Sequence, residues 1–379
     1  MIRRKKDKTY TGASMVRILL PSILGAVLCS FMMVGTSWAW FSDDVSTGSY
    51  TIQTANFGAD VTVSCLTETD EVAVSDTGVY SLKAREAYSV SFETSGIASK
   101  GFCTMTYHEA DESTETVEKM STSVMESEDK ISFTFIPQED TECLFNASWG
   151  EPQDVTRSMP RTIVDGGVYG GTVCEVASAE ALKTALDEAN TDGITIIKIT
   201  DNIEASHAED SEDNFIYDIK EDTDVVIKMD DDKSFKATLA SVEEGESRSV
   251  FKVSEGATLT IDSGSYTATT GEEDNDIFDL ITNEGGNVFI NGGTFTFDKA
   301  MAIIRNIVGS DTATADNNST VTIDGGTFKP AEESFTGIEA FIIYTNNENE
   351  IAVSDNAVLT NVSIVPSIPS QTENDNEEE

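Results

Sequence analysis

Positive charge is scarce in this chain. Its 379 residues include 24 Lys and Arg against 68 Asp and Glu, a formal net charge of −44. A surface of that sign repels nucleic-acid backbones, whose binding needs clustered Lys and Arg to release counterions. DNA and RNA are therefore excluded as expected partners. The same sign opposes docking on anionic lipid, and contact with acidic polysaccharide unless a cation bridges the two. Histidine is scarcer still, with two residues, His108 and His207, and neither has a glycine neighbour. No EF-hand spacing and no glycine-rich calcium nonapeptide occurs. Only one apolar run approaches membrane-spanning length. Against these absences, 39% hydrophobic residues with 18 Phe are too many for a disordered acidic chain. The length predicts two or three domains, each able to bury a core.

The one long apolar run lies near the start. Arg3-Arg4-Lys5-Lys6 precedes it, Ile18 to about Val34 forms it, and Gly35, Thr36, Ser37 and Ala39 follow. A basic segment, an apolar segment and small residues in that order read as an export signal cut between Ala39 and Trp40. The alternative is an uncleaved anchor, since Ile18–Phe41 is just long enough to span a bilayer. Removing residues 1–39 leaves 18 basic residues against 67 acidic ones, a net charge of −49. The stretch from Val34 through Thr36-Ser37-Trp38-Ala39-Trp40-Phe41-Ser42-Asp43, followed by Tyr50-Thr51-Ile52-Gln53-Thr54-Ala55-Asn56-Phe57, resembles the leader of TasA/camelysin-type secreted proteins. The resemblance covers about residues 20–65. It implies cleavage by a SipW-type peptidase, an extracellular or cell-surface location, and self-association through the mature N-terminal segment. Trp40 stands where that family tends to have a small residue.

From Tyr50 to Trp149 apolar residues alternate, as in Tyr88, Val90, Phe92 and in Cys143, Phe145, Ala147, Trp149. Period-2 alternation in short runs predicts strands with one buried face, and about seven of them a β-sandwich over residues 40–150. Phe133–Pro137 and Asn146–Gly150 again resemble the sandwich of the SipW-associated proteins. Residues 151–172 carry Pro152, Pro160 and two Gly-Gly pairs and read as a linker. A helix is predicted next, with Ser178 as N-cap and Leu182, Ala185, Leu186 and Ala189 on one face.

Beyond it the chain repeats. Thr258-Leu259-Thr260-Ile261-Asp262, Asn287-Val288-Phe289-Ile290-Asn291 and Thr320-Val321-Thr322-Ile323-Asp324 each run into a glycine corner and then an aromatic, Tyr266, Phe295 and Phe328. A third apolar run belongs to each unit. Three short strands per unit of about 30 residues predict a parallel β-helix over residues 173–366, its successive coils about 4.8 Å apart. Ile261, Ile290 and Ile323 should form one internal ladder and the three aromatics another. The capping helix and the strand after it resemble the N-terminal lid of pectin-lyase-like right-handed β-helices. Residues 367–379 are polar and acidic and are expected to be a disordered tail. The fold class is thus all-β, an N-terminal β-sandwich followed by a right-handed parallel β-helix with one capping helix.

Many β-helices cleave acidic sugars, so polysaccharide lyase or glycoside hydrolase chemistry is the alternative to a binding role. Its sets are incomplete here. Asn190-Thr191-Asp192 lies at a helix end, Gly-His-Gly and Arg-Ile-Lys motifs are missing, and Arg305 is the only basic residue inside a repeat core run. No catalytic residue is assigned. Asp262, Asn291 and Asp324 precede the same corner in three repeats; a column of Asx side chains there either caps its own turns or holds calcium. The acidic loops Asp230-Asp231-Asp232 and Glu272–Asp276 read as solvated charge. No other cofactor is implied. Beyond the leader four cysteines remain, Cys65, Cys103, Cys143 and Cys174, with three pairings open; Cys103 with Cys143 is preferred because both lie in alternating strands. The expected function is that of a secreted cell-surface or matrix protein, structural or adhesive, displaying its β-helix to a glycan or protein, with the membrane met only through an uncleaved leader.

Overall fold

The computed structural model describes residues 49–54, 57–67, 71–98, 100–110, 117–151, 161–207, 211, 213–230, 232–240, 247–270, 277–297, 301–306, 319–330, 340–344 and 351–365. The leader with its expected Ala39–Trp40 bond, the loop Glu272–Asp276 and the tail 367–379 lie outside them. Among the described residues no helix is long and apolar enough to cross a membrane.

The chain is mostly β. Its N-terminal unit has two sheets. The first runs in the order Ser49–Thr54, Phe57–Cys65, Tyr88–Ser95, Lys130–Phe135 and Val168–Tyr169; the second joins Arg161–Ile163, Glu118–Thr122, Lys100–Glu109, Thr141–Trp149, Tyr80–Leu82 and Ala73–Val74. The alternation seen in sequence holds for Tyr88, Val90 and Phe92 and for Cys143, Phe145 and Ala147, all buried between more exposed neighbours, but Trp149, expected on the same face, is 70% exposed at the strand's end. Both sheets contribute to one core, where the Phe92 ring of the first meets the Phe145 ring of the second edge-on at 5.8 Å.

Within the expected linker 151–172, the stretch from Arg161 onward is built into the sheets. Arg161–Ile163 pairs in parallel with Glu118–Thr122, and Val168–Tyr169 in parallel with Lys130–Phe135, so this segment extends both sheets. The glycines read as linker signals serve tight geometry. Gly170 has φ +87°, and a Cβ there would lie 2.0 Å from the Ile136 carbonyl oxygen. Only glycine allows that approach, which carries the chain directly from Tyr169 into the next strand, Gly171–Val176.

That strand opens a parallel β-solenoid built of three sheets with seven, six and six strands. About five turns separate the first complete coil from the last. The predicted register holds: Ile261 pairs with Ile290 and Ile290 with Ile323, and all three are fully buried. Tyr266, Phe295 and Phe328 stack with centroids 5.2 and 4.7 Å apart and planes 10° off parallel. At the corners between these ladders Gly264, Gly293 and Gly326 have φ of 113°, 102° and 97°, a region costly for any residue bearing a Cβ.

Helix α1, Ala179–Asp187, covers the first coil. Ser178 Oγ accepts from the Ala181 amide at 3.2 Å, and Leu182, Ala185 and Leu186 are buried against the solenoid. Burying an amphipathic face there hides apolar side chains that would otherwise face water at the start of the stack.

Candidate functional site

The most elaborate polar constellation joins the two units. Along the first solenoid sheet, side chains alternate between the interior and an outer face. That outer face carries Ile194 and Ile196 on one coil, Asp224, Val226 and Lys228 on the next, Thr260 and Asp262 on the third, and Phe289 and Asn291 on the fourth. The loop Arg85–Ala87 of the N-terminal unit lies across it. Ala87 and Ile136 form a small buried cluster with Ile194, Ile196 and Val226. Arg85 reaches three coils: Nη1 donates to Asp224 Oδ1 at 2.8 Å and to Thr260 Oγ1 at 3.1 Å, and the guanidinium lies 5.9 Å from the centre of the Phe289 ring.

Beside it lies a charge network with Lys228 and Glu86 at its buried centre. Lys228 Nζ pairs with Glu86 and, at 3.0 Å, with Asp262 Oδ2; the Lys228 and Glu86 side chains are 6% and 7% exposed. The Thr67 hydroxyl donates to the other Glu86 oxygen, and Asn291 Nδ2 donates to Asp262 Oδ1 at 2.6 Å. Burial alone would lower the Lys228 ammonium, but the Asp262 and Glu86 carboxylates outweigh it and hold its pKa above the ordinary lysine value. Burial pushes the Asp224 carboxyl up, and Arg85 opposes that shift.

This arrangement decides how the Asx column behaves. Asp262 and Asn291 are brought together, and Asp324 follows one coil on as an exposed residue. Both Asp262 oxygens are engaged, one by an amide and one by an ammonium, so Lys228 sits where a bound cation would. Among the described residues no group of three His, Cys, Asp or Glu side chains is placed to hold a metal.

The remaining sequence candidates fall apart from one another. His108 belongs to the N-terminal unit, half exposed, with Nε2 3.6 Å from Glu142. His207 belongs to the solenoid and is buried, its Nε2 2.6 Å from the Asp213 carbonyl oxygen. It borders a cleft of about 480 Å³ between α1 and the strand Phe215–Ile219, lined also by Glu180, Lys183, Asp187 and Tyr217. That volume is in the range of small-ligand sites. Asn190 Oδ1 accepts from the Asp192 amide at 3.0 Å, so that triplet shapes the turn after α1. Asp230 pairs with Lys198 at 3.3 Å and Asp232 with Lys233 at 2.8 Å.

Arg305 is not a solvated strand residue: its side chain is 18% exposed and ion-paired. Its Nε and Nη2 donate to the two oxygens of Asp279 at 2.6 and 3.0 Å, and Thr282 Oγ1 adds a third bond at 3.1 Å. Asp279 is completely buried. Burial raises its pKa, and Arg305 and Thr282 pull it back. The guanidinium thus holds the carboxylate through two parallel, charge-assisted bonds.

The expected Cys103–Cys143 disulfide is not formed; Cys65, Cys103, Cys143 and Cys174 are all free thiols. Cys103 faces Ala147 and Cys143 faces Tyr107 on the same strand pair. Four residues of offset separate them by about 13 Å along the strands, beyond the reach of an S–S bond. Burial pushes the Cys103 thiol up to about 12 and raises Cys143 as well.

Fold and seam together define a β-solenoid protein carrying a two-sheet, mostly antiparallel unit on the flank of its first coils. No family model, curated protein or solved structure matches the chain.

Proposed function

We propose that the protein is an exported, acidic cell-surface or extracellular-matrix protein with a structural or adhesive role. In this reading the N-terminal unit is a TasA/camelysin-like β-sandwich, and the solenoid is a right-handed, pectin-lyase-like β-helix that it presents to a glycan or protein partner. Crossovers between parallel strands run right-handed almost always, which supports the handedness. The observation that carries the role is the seam. One loop grips four coils through apolar, cation–π and buried ionic contacts, so the solenoid is held as a rigid arm rather than swinging on a linker. Rigid mounting suits display and load-bearing. Arg305, the basic residue singled out for lyase chemistry, is meanwhile engaged by Asp279, which weighs against that chemistry.

The acidic surface restricts the partner to a neutral glycan, a basic protein face, or an acidic polymer bridged by cations. Self-association is proposed to run through the edge strand Ser49–Thr54, which among the described residues pairs only with Phe57–Cys65. Charge repulsion opposes it, and that repulsion is screened to about 8 Å at physiological ionic strength. Light scattering of the mature chain across a salt and calcium series tests this. Assembly that grows with salt and is lost on deleting residues 40–56 supports the reading; salt-independent monomers refute it. Intact-mass measurement of exported material tests the address, with Trp40 expected as the new terminus; retention of Met1 in a membrane fraction contradicts it.

A further inference from the structure

The two ends of the solenoid are treated differently. At the first coil, α1 buries its apolar face over the stack. At the last coil, Ile351–Val353, Val358–Leu359 and Val362–Val365 pair with the preceding coil and, among the described residues, with no further strand. The internal ladders run out into solvent there. Val321, Ile323, Phe328 and Ile342 are fully buried, whereas their partners one coil on, Ile351, Val353, Leu359 and Ile364, are half-buried or exposed, Ile364 by 46%. Val358, at the same edge, is 53% exposed.

Edges of this kind are normally blunted by Lys, Pro, a bulge or a polar cap. None of those stands in 351–365, which carries a single charge, Asp355, within a chain of net charge −44. Residues 366–379 do not have the composition of a lid. They offer Ile368 as their one large apolar side chain, two prolines and five acids. A head-to-tail stack is blocked because the opposite end is already covered by α1. A like end is not: it is apolar, nearly neutral, and presents edge strands that no other described strand pairs with.

We infer that the last coil is an interface for a second copy of this chain, with the two C-terminal ends meeting across a twofold axis. Edge strands related by such an axis run antiparallel and satisfy each other's free N–H and C=O groups, while Ile351, Val353, Leu359 and Ile364 of each copy cover their counterparts. Residues 366–379 carry five acids in each copy, and their mutual repulsion is screened by salt, so association strengthens with ionic strength.

The test is sedimentation velocity of the mature full chain at low and high salt, alongside Val358→Lys and Ile364→Lys. Both positions are exposed, so a charged head reaches water without unfolding the coil, and circular dichroism melts check this. At high salt the weight-average mass is expected to rise toward twice the monomer value between about 1 and about 100 µM, the range of a modest interface. Each lysine variant should weaken that step at least tenfold. A chain lacking residues 40–56 should still dimerise, which separates this contact from pairing through Ser49–Thr54. A strict monomer under all conditions, or dimers indifferent to both lysines, overturns the inference.

Discussion

Replacing Lys228 by Met should be among the most damaging single changes to the seam. The substitution keeps most of the side-chain volume and removes only the ammonium. Glu86 then faces Asp262 with no cation between them. Breaking a buried ion pair by deleting one partner costs about 3–5 kcal/mol, set against total stabilities of about 5–15 kcal/mol. At roughly 2–4 °C per kcal/mol the melting midpoint should fall by about 10 °C. Glu86 and Asp262 neutralised as well, in Glu86→Gln/Lys228→Met/Asp262→Asn, should recover most of the loss, because the cost lies in the uncompensated charges. The pH dependence carries the same signature. Since the folded pKa of Lys228 is raised, its contribution is complete below the ordinary lysine value of 10.5 and is lost as pH rises through the folded value. Wild type should therefore lose stability in that alkaline window more steeply than the triple variant. Calorimetry at pH 7 and through the alkaline limb measures both. A midpoint for Lys228→Met within 1 °C of wild type, or a triple variant no better than the single, would refute the reasoning.

The register of the solenoid makes Ile290 and its neighbour a matched pair. Ile290→Asp buries a carboxylate without a partner and should cost about 3 kcal/mol or more, whereas Phe289→Ala loses partial burial and a cation–π contact worth about 0.5–2 kcal/mol; equal thermal shifts contradict the register. The thiols should separate by burial: Cys65 and Cys174, half-buried, should react with a disulfide reagent in the native state, and Cys103 and Cys143 only on unfolding. Uniform reactivity of all four, or a mass showing two fewer hydrogens in the oxidised protein, would count against the free buried pair.

What sequence reasoning reached was the part of the fold that depends on local periodicity. The isoleucine and aromatic ladders, the glycine corners and the Ser178 cap follow from the order of apolar, polar and glycine residues within one coil. The seam was not read, although it left a signal. Ile194-Thr195-Ile196-Ile197 and Val225-Val226-Ile227 are apolar without alternation, which requires cover on both faces of a strand. One cover is the solenoid interior. The other is a loop more than a hundred residues away in sequence, and no local pattern points to it. Lys228 inside such a run was the sharper clue, because a buried lysine needs carboxylate partners. The linker reading failed for a related reason: Gly166 and Gly170 mark positive φ, and that geometry serves an ordered corner as well as a loose one. The cysteine pairing failed because alternation gives the face of a strand but not its register against a neighbour.

The reading as a display protein without sugar-cleaving chemistry is tested most directly by one assay. The chain without residues 1–39 is incubated with a panel of plant, host and microbial polysaccharides, with and without calcium, while bound polymer, new reducing ends and unsaturated products are measured together. Retention of one or more polymers with no cleavage products is the predicted result. Release of products that disappears in Arg305→Lys would contradict the account, because it would make a catalytic group of a residue assigned here to holding Asp279.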